Sequence, residues 1–436
     1  MRKSALVWIG LGVSLAAAIG GCSATPRSSI FDEDNEPDEN GSDTNGSGGA
    51  GGDMTSGGGG FNPSTSGGGG SSINCDNPAD GDGDGDGFTQ LDGDCNNCDP
   101  NANPGAVEVI VTEPDMDGNM KEPADEDCDG EIDEVEVCDT GLQVADPDPM
   151  NGARAMDICQ QATPGDKKWG VLEANYVRAN GSFLGANLAA GILPNFGPNV
   201  NVQKGERLLA LSSGYARLPG DPNECGSSSC NTNFGGQPPP GFPQDVPGCA
   251  GLNNINDDIA LQLKMRAPTN ATGYKYLFKF YSFEFPEYVC TSYNDQYIAL
   301  VNPAPMGSIN GNISFDSASN PVSVNVAFFD VCDPNGISNY ASVCGKCKPA
   351  PNPYCPSGTG ELFGNGFGGE WFGDAGGTSW LQTIAPIGPG EEFTIRFAIW
   401  DTGDTALDST VVLDGFEWIA TGGEVTVGTG TVPDPK

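Results

Sequence analysis

"EEFTIRFAIWD", residues 391–401, sets Phe393, Ile395 and Phe397 apart by Thr394 and Arg396. Apolar side chains at every second position mark a strand with one face buried. Similar runs recur outward from it: "KKWGVLEANYV" (167–177), "ERLLALSSGYARL" (206–218), "DIALQLKMRA" (258–267), "YKYLFKFYSFEF" (274–285), "QYIALV" (296–301), "PVSVNVAFFDV" (321–331) and "STVVLDGFEWIA" (409–420). Gly, Pro and Asn turns separate them, and no long amphipathic helix intervenes. This pattern predicts an all-β fold, a jelly-roll-like β-sandwich over residues 139–424, with a tail at 425–436. "LPGDPNECGSSSCNTNFGGQPPPGFPQDVPGC" (218–249) reads as an inserted loop.

The composition narrows the chemistry. The chain has 436 residues, 59 acidic, 19 basic and no histidine, a formal net charge of −40. Such a charge repels nucleic acid, which is excluded as a partner. Without histidine there is no Ser-His-Asp triad, no Cys-His pair and no imidazole metal site. The donors left for a metal are carboxylate and carbonyl oxygens, which suit calcium.

The N-terminus "MRKSALVWIGLGVSLAAAIGGC" has a basic start and an apolar run from Ala5 to Ile19, as a secretory signal does. Its end, "IGGC", resembles a bacterial lipobox, with residues 1–21 as the signal and Cys22 as the lipidated residue. Ser23 in the next position implies the outer membrane. Setting Cys22 aside from the fifteen cysteines leaves an even number, as disulfides require. Residues 22–72, rich in Gly, Ser, Asp and Glu, read as a disordered tether with a reach of about 40 Å.

An acidic module follows at 73–138. From Cys22 to Cys138 there are 29 acidic residues and two basic ones, Arg27 and Lys121. "DGDGDGFTQLDGDC" places Asp82, Asp84 and Asp86 before Gly87, as the first half of a calcium loop does. The twelfth position is Gly93, so Asp92 or Asp94 has to close the shell. "DEDCDGEIDEVE" gives the whole pattern: Asp125, Asp127, Asp129, Gly130, a buried aliphatic at Ile132, Asp133, and Glu136 at position twelve. Interleaved cysteines argue against a merely solvated acidic stretch.

Residues 76–134 resemble the MopE-type metal-binding motif of bacterial surface proteins. Copper is associated with some members of that family; the absence of histidine favours calcium here. Four stretches of the larger region resemble the choice-of-anchor L domain of bacterial surface proteins: "GILPNFGPNVNVQKGERLLALSSG", "FYSFEFPEYVCTSYNDQYIALV", "NGNISFDSASNPVSVNVAFFDVC" and "FAIWDTGDTALDSTVVLDGFEW". The resemblance spans roughly residues 165–420 and implies an extracellular β domain with no established reaction.

The motifs "EFPEYVCTSYND" and "DTGDTALDS" gather Glu284, Glu287, Asn294, Asp295, Asp401, Asp404 and Asp408, and Asp414 follows. Half-buried carboxylates without Lys or Arg partners are costly unless a cation neutralises them. A third calcium site is therefore expected from Glu284, Asp295, Asp401 and Asp408, against the alternative of turn capping. Its strands are expected to be neighbours in one sheet. Tyr288, Tyr293, Trp371, Trp400 and Trp418 are candidates for a sugar platform or for core. The remaining cysteines, including Cys225, Cys230 and the "CGKC" run, read as disulfides.

Together these readings point to a non-catalytic, calcium-stabilised lipoprotein of the outer membrane or cell surface. It would display a sandwich for adhesion or for an extracellular glycan or protein ligand. The alternatives are a metal-scavenging surface protein and a carboxylate-based glycoside hydrolase.

Overall fold

The computed structural model describes residues 81–110, 122–232, 235–325, 329–332, 358–371, 373, 375–420 and 422–432. The signal, the tether, Cys22, Cys75, Cys344, Cys347 and Cys355 lie outside them. The described residues hold thirteen strands: β1 Gly170–Val177, β2 Ala190–Leu193, β3 Leu208–Ser212, β4 Ile255–Arg266, β5 Gly273–Ser282, β6 Gln296–Asn302, β7 Val322–Ser323, β8 Phe329–Cys332, β9 Gly376–Thr378, β10 Leu381–Pro386, β11 Glu392–Thr402, β12 Ser409–Ile419 and β13 Gly428–Thr431. The one α-helix among them is α1, Pro149–Arg154.

The strands form two sheets, with every pairing between them antiparallel. One has the order β1-β4-β11-β6-β7. The other runs β13-β10-β5-β12-β3-β2, with β9 beside β5 and β8 beside β9. Alternation decides what lies between them. β11 sends Phe393, Ile395, Phe397 and Ile399 inward, β5 sends Tyr274, Tyr276, Phe278 and Phe280, and β12 sends Val411 and Leu413. Each of these large side chains contributes about 1.5–3 kcal/mol by leaving water.

The outward faces are also covered, which explains why the strands read as almost continuously buried. Loops carrying Phe196, Leu362 and Phe367 pack over Leu208, Ala210, Tyr281 and Val412. Phe242, from the long inserted loop, packs over Ala260, Ala398 and Trp400 on the opposite side. Lys279 is buried as well, facing Glu361 and the Trp380 ring.

Two expectations about boundaries change. Residues 428–431, expected in a tail, pair as β13 with Leu381–Ile384. The run 321–331 does not form one strand: Val322–Ser323 joins the first sheet and Phe329–Cys332 the second. Disulfides join Cys95 to Cys128, Cys138 to Cys159, Cys225 to Cys230 and Cys249 to Cys290.

The acidic module lies against the sandwich. The Trp169 indole donates to the Ala106 carbonyl at 2.6 Å, Thr269 N–H donates to the Gly105 carbonyl at 2.8 Å, and Asn270 bonds both N–H and C=O of Val107. The Cys138–Cys159 disulfide closes the same junction covalently.

Candidate metal centres

The two Asp-rich runs fold into loops of one design, 43 positions apart in the sequence. In the first, Asp82 Oδ2 accepts from Gly87 N–H at 3.1 Å, Asp84 Oδ1 from Asp86 at 3.2 Å and Asp86 Oδ1 from Phe88 at 2.7 Å. In the second, Asp125 Oδ2 accepts from Gly130 at 3.1 Å, Asp127 Oδ1 from Asp129 at 3.1 Å and Asp129 Oδ1 from Glu131 at 2.8 Å. Gly87 and Gly130, at φ +93° and +98°, supply the left-handed residue that turns each loop. The Cys95–Cys128 disulfide ties the loops together.

Among the described residues, five groups of three acid or cysteine side chains can bring one ligand atom each to within 4.8 Å of the others. Asp82, Asp84 and Asp86 form one such group, and Asp125, Asp127 and Asp129 another. Burial pushes the carboxyls of Asp86 and Asp127 up to about 6, with neighbouring carboxylates adding to the effect.

The structure distinguishes the residues expected to close the shells. Asp92 is not at the first loop's centre. Its side chain accepts from Thr89 N–H and Oγ, capping the short 3-10 turn Gln90–Asp92, and lies 3.5 Å from Lys167 Nζ. Asp94 is buried, close enough to raise the carboxyls of Asp84 and Asp86, and its Oδ2 meets no donor. In the second loop, Glu136 joins none of the five groups and Ile132 is 58 % exposed. After Gly130 the chain turns through Asp133 at φ +53°, and no exiting helix carries Glu136 back. Glu108 takes the central place instead. It accepts from the N–H groups of Glu126, Asp127 and Asp133 and groups with Asp127 and Glu134, and with Glu126 and Asp133. No spacing rule marked Glu108, because it reaches the loop from some twenty residues upstream.

The sandwich carboxylates also converge, at one end of the core. The register that pairs Gln296 with Trp400 sets Asp295 opposite Asp401, on the face that carries Tyr297 and Ile399 inward. Glu284 continues the inward series of β5. Thr402 N–H and the Ser409 hydroxyl donate to Asp295 at 3.0 and 2.7 Å, and Asp295 N–H donates to Glu284 at 3.3 Å. The group therefore spans both sheets, not neighbouring strands of one. Asp408 lies one step out of phase and accepts from Cys230 N–H at 2.8 Å. Gly214 is required beside it, since a Cβ there would stand 1.8 Å from Asp408 Oδ2.

Burial first, and mutual repulsion second, raise Glu284 and Asp401 well above the usual carboxylate range. Burial likewise holds Asp295 at about 7 and Asp408 well above its usual value, the latter against the Cys230 N–H. No three of the quartet offer oxygens within 4.8 Å of one another. Asp414 lies apart from them, with Asp157 and Asp139. It accepts from Gln203 N–H at 2.6 Å, and Asp139 accepts from Glu206 and Arg207 at 2.6 Å each.

The candidate platform aromatics go to separate places. Trp400 is fully buried against Phe242, Tyr288 packs edge-on to Tyr293, and Trp371 lies under the outer loops. Trp418 meets Trp169 edge-on beside a cleft of about 780 Å³ between module and sandwich.

A family model described as the choice-of-anchor L domain matches residues 175–417, which include the whole sandwich quartet. No curated protein and no solved structure matches the chain.

Proposed function

The chain belongs to the choice-of-anchor L family, whose domains are associated with cell-surface proteins, and from that premise we propose a calcium-stabilised, non-catalytic surface lipoprotein. In this reading Cys22 carries the lipid, the tether spaces the folded part from the outer membrane, and the MopE-like module holds calcium against the sandwich. The sandwich then serves adhesion, or recognition of an extracellular glycan or protein.

The pair of matching loops carries the proposal. Two runs gather three carboxylates each around the same backbone hydrogen bonds, joined by a disulfide and docked on the family domain through Thr269 and Asn270. Calcium held by Asp82, Asp84, Asp86 and Asp94 in one loop, and by Asp125, Asp127, Asp129 and Glu108 in the other, would offset charges that otherwise repel. Burial of the sandwich carboxylates disfavours a glycosidase, which has to present two carboxyls to a sugar.

The experiment is a calcium titration of the full chain by calorimetry, with thermal unfolding in calcium and in chelator. Calcium at a hundredfold excess over Kd adds about 2.7 kcal/mol per site, so two filled loops add about 5 kcal/mol. Asp84→Asn with Asp127→Asn removes both heats and most of that increment. An unchanged melting curve in chelator, or tight copper binding with silent calcium, overturns the reading. Labelling with a fatty-acid analogue marks the wild type and spares Cys22→Ser if the anchor is as proposed.

A further inference from the structure

Asp401 is 1 % exposed, and neither of its carboxylate oxygens meets a donor. The Ser213 hydroxyl lies beside Asp401 and is shared with Ser409, donating to the carbonyl at 3.3 Å and accepting from the N–H at 2.9 Å. Asp408 Oδ1 is buried without a donor as well. Carboxylates in this state are rare in folded proteins, because each lost hydration shell has to be replaced.

A further carboxylate joins the group through a β-bulge. The β11–β4 register breaks between Ile399 and Asp401, which pairs with Asn256. The extra residues of β4 sit opposite Trp400. One of them, Asp257, is fully buried at φ +48°, and its Oδ1 accepts from Thr232 N–H at 2.6 Å, two residues on from Cys230, whose N–H binds Asp408. The other, Asp258, turns to Arg178 at 2.9 Å. Bulges of this kind re-aim side chains at functional sites. Glu284, Asp295, Asp401, Asp408 and Asp257 thus stand in series, and no lysine or arginine is among the groups that most affect Glu284, Asp295, Asp401 or Asp408.

The Cys225–Cys230 loop roofs this end. Asp408 N–H donates to Ser228 O at 2.8 Å, Leu407 N–H to Ser229 Oγ at 2.8 Å, and Cys230 N–H to Asp408 Oδ2. The turn at 403–406 beside it is half-buried to exposed, which gives a way in from solvent.

We propose that Asp401, with Asp408 and Asp257, holds one divalent cation of the calcium class at the end of the sandwich, beneath the Cys225–Cys230 loop. The site is separate from the acidic module and stands or falls independently of it. The donors are oxygens, and both neighbouring cysteines are in a disulfide, which selects a hard cation over zinc or copper. Glu284 and Asp295 position Asp401. Asp401 and Asp408 ligate directly, Asp257 acts through a bound water, and main-chain carbonyls and further water complete a shell of six to eight, because no three of these carboxylates offer oxygens within 4.8 Å of one another.

The test uses the full chain with Asp84→Asn and Asp127→Asn, so that the module is silent, and calcium as the probe. One calcium site is expected to remain by calorimetry, with calcium still raising the thermal midpoint. Adding Asp401→Asn should weaken that site at least tenfold and abolish the calcium-dependent shift, while the fold persists in chelator. Asp408→Asn, nearer the surface, should do the same and serves if the Asp401→Asn chain fails to fold. Persistence of the calcium heat and shift in both variants overturns the proposal. So does a silent-module chain that binds no calcium, in which case the carboxyls share protons instead.

Discussion

The acidic module and the end of the sandwich are built from the same side chain and solve its charge in opposite ways. In the module, the aspartates of the two Asp-x-Asp-x-Asp runs accept backbone N–H groups two to five residues ahead, and these loops stay open to water. At the end of the sandwich, Asp295 and Asp401 sit where the strand period would place the next isoleucine, and Asp401 accepts from no backbone N–H. Local hydrogen bonds can organise a run of like charges at the surface. In the core the supply is thinner, because most strand N–H groups are used in the ladders: Asp295 accepts from Thr402 N–H and Asp401 from no backbone N–H.

The largest effect that sharpens this comparison lies in the module. Cys95→Ser with Cys128→Ser separates the two loops and should destabilise the module by about 2–4 kcal/mol. Proteolysis and calcium affinity of the full chain would show it, with the sandwich midpoint much less changed. An equal loss of sandwich stability would mean that the two regions unfold as one.

A second test concerns the sandwich's other acid group. Burial raises Asp414 to about 8 and Asp157 to about 6, from 3.8 in an unfolded chain. Between about pH 4 and pH 8 the folded chain therefore holds a proton on Asp414 that the unfolded chain has lost. Stability is full below the unfolded pKa and declines as pH rises through that window, by up to about 1.4 kcal/mol per pH unit. Asp414→Asn should flatten this slope in denaturant unfolding at about pH 5, 6.5 and 8. A slope of the same steepness in the variant would show that Asp414 is not its source.

The smallest effect separates a cap from a ligand. Asp92→Asn should change the thermal midpoint little and leave calcium affinity nearly unchanged, because its exposed side chain serves Thr89 and Lys167. Asp94→Asn should weaken the first loop's calcium site about tenfold or more. The reverse order would return Asp92 to the shell.

Most strands were legible because alternation is local: Phe393, Ile395 and Phe397 announce a buried face without knowledge of what covers it. The covering layers were not legible. Phe242 and Phe367 come from loops with no period, and their contacts with Trp400 and Tyr281 depend on chain paths of more than eighty residues. Strand β13, with the sequence Gly-Thr-Gly-Thr, carries no large apolar side chain to signal it. In the extended "DEDCDGEIDEVE" pattern Ile132 is exposed and Glu136 joins none of the acid groups, because the chain turns at Asp133.

The sequence by itself determined the two Asp-rich loops, the absence of imidazole chemistry and the inward face of each long strand. These follow from hydrogen bonds that span a few residues and from a side-chain period of two. Only the tertiary structure decided that Glu108 enters the second loop, that Asp257 approaches Asp408 through a bulge, and that the Asp295 and Asp401 group spans both sheets. Register, crossover and bulge set those meetings. Each depends on which strand lies beside which, a choice made by the whole core and not by the residues that meet.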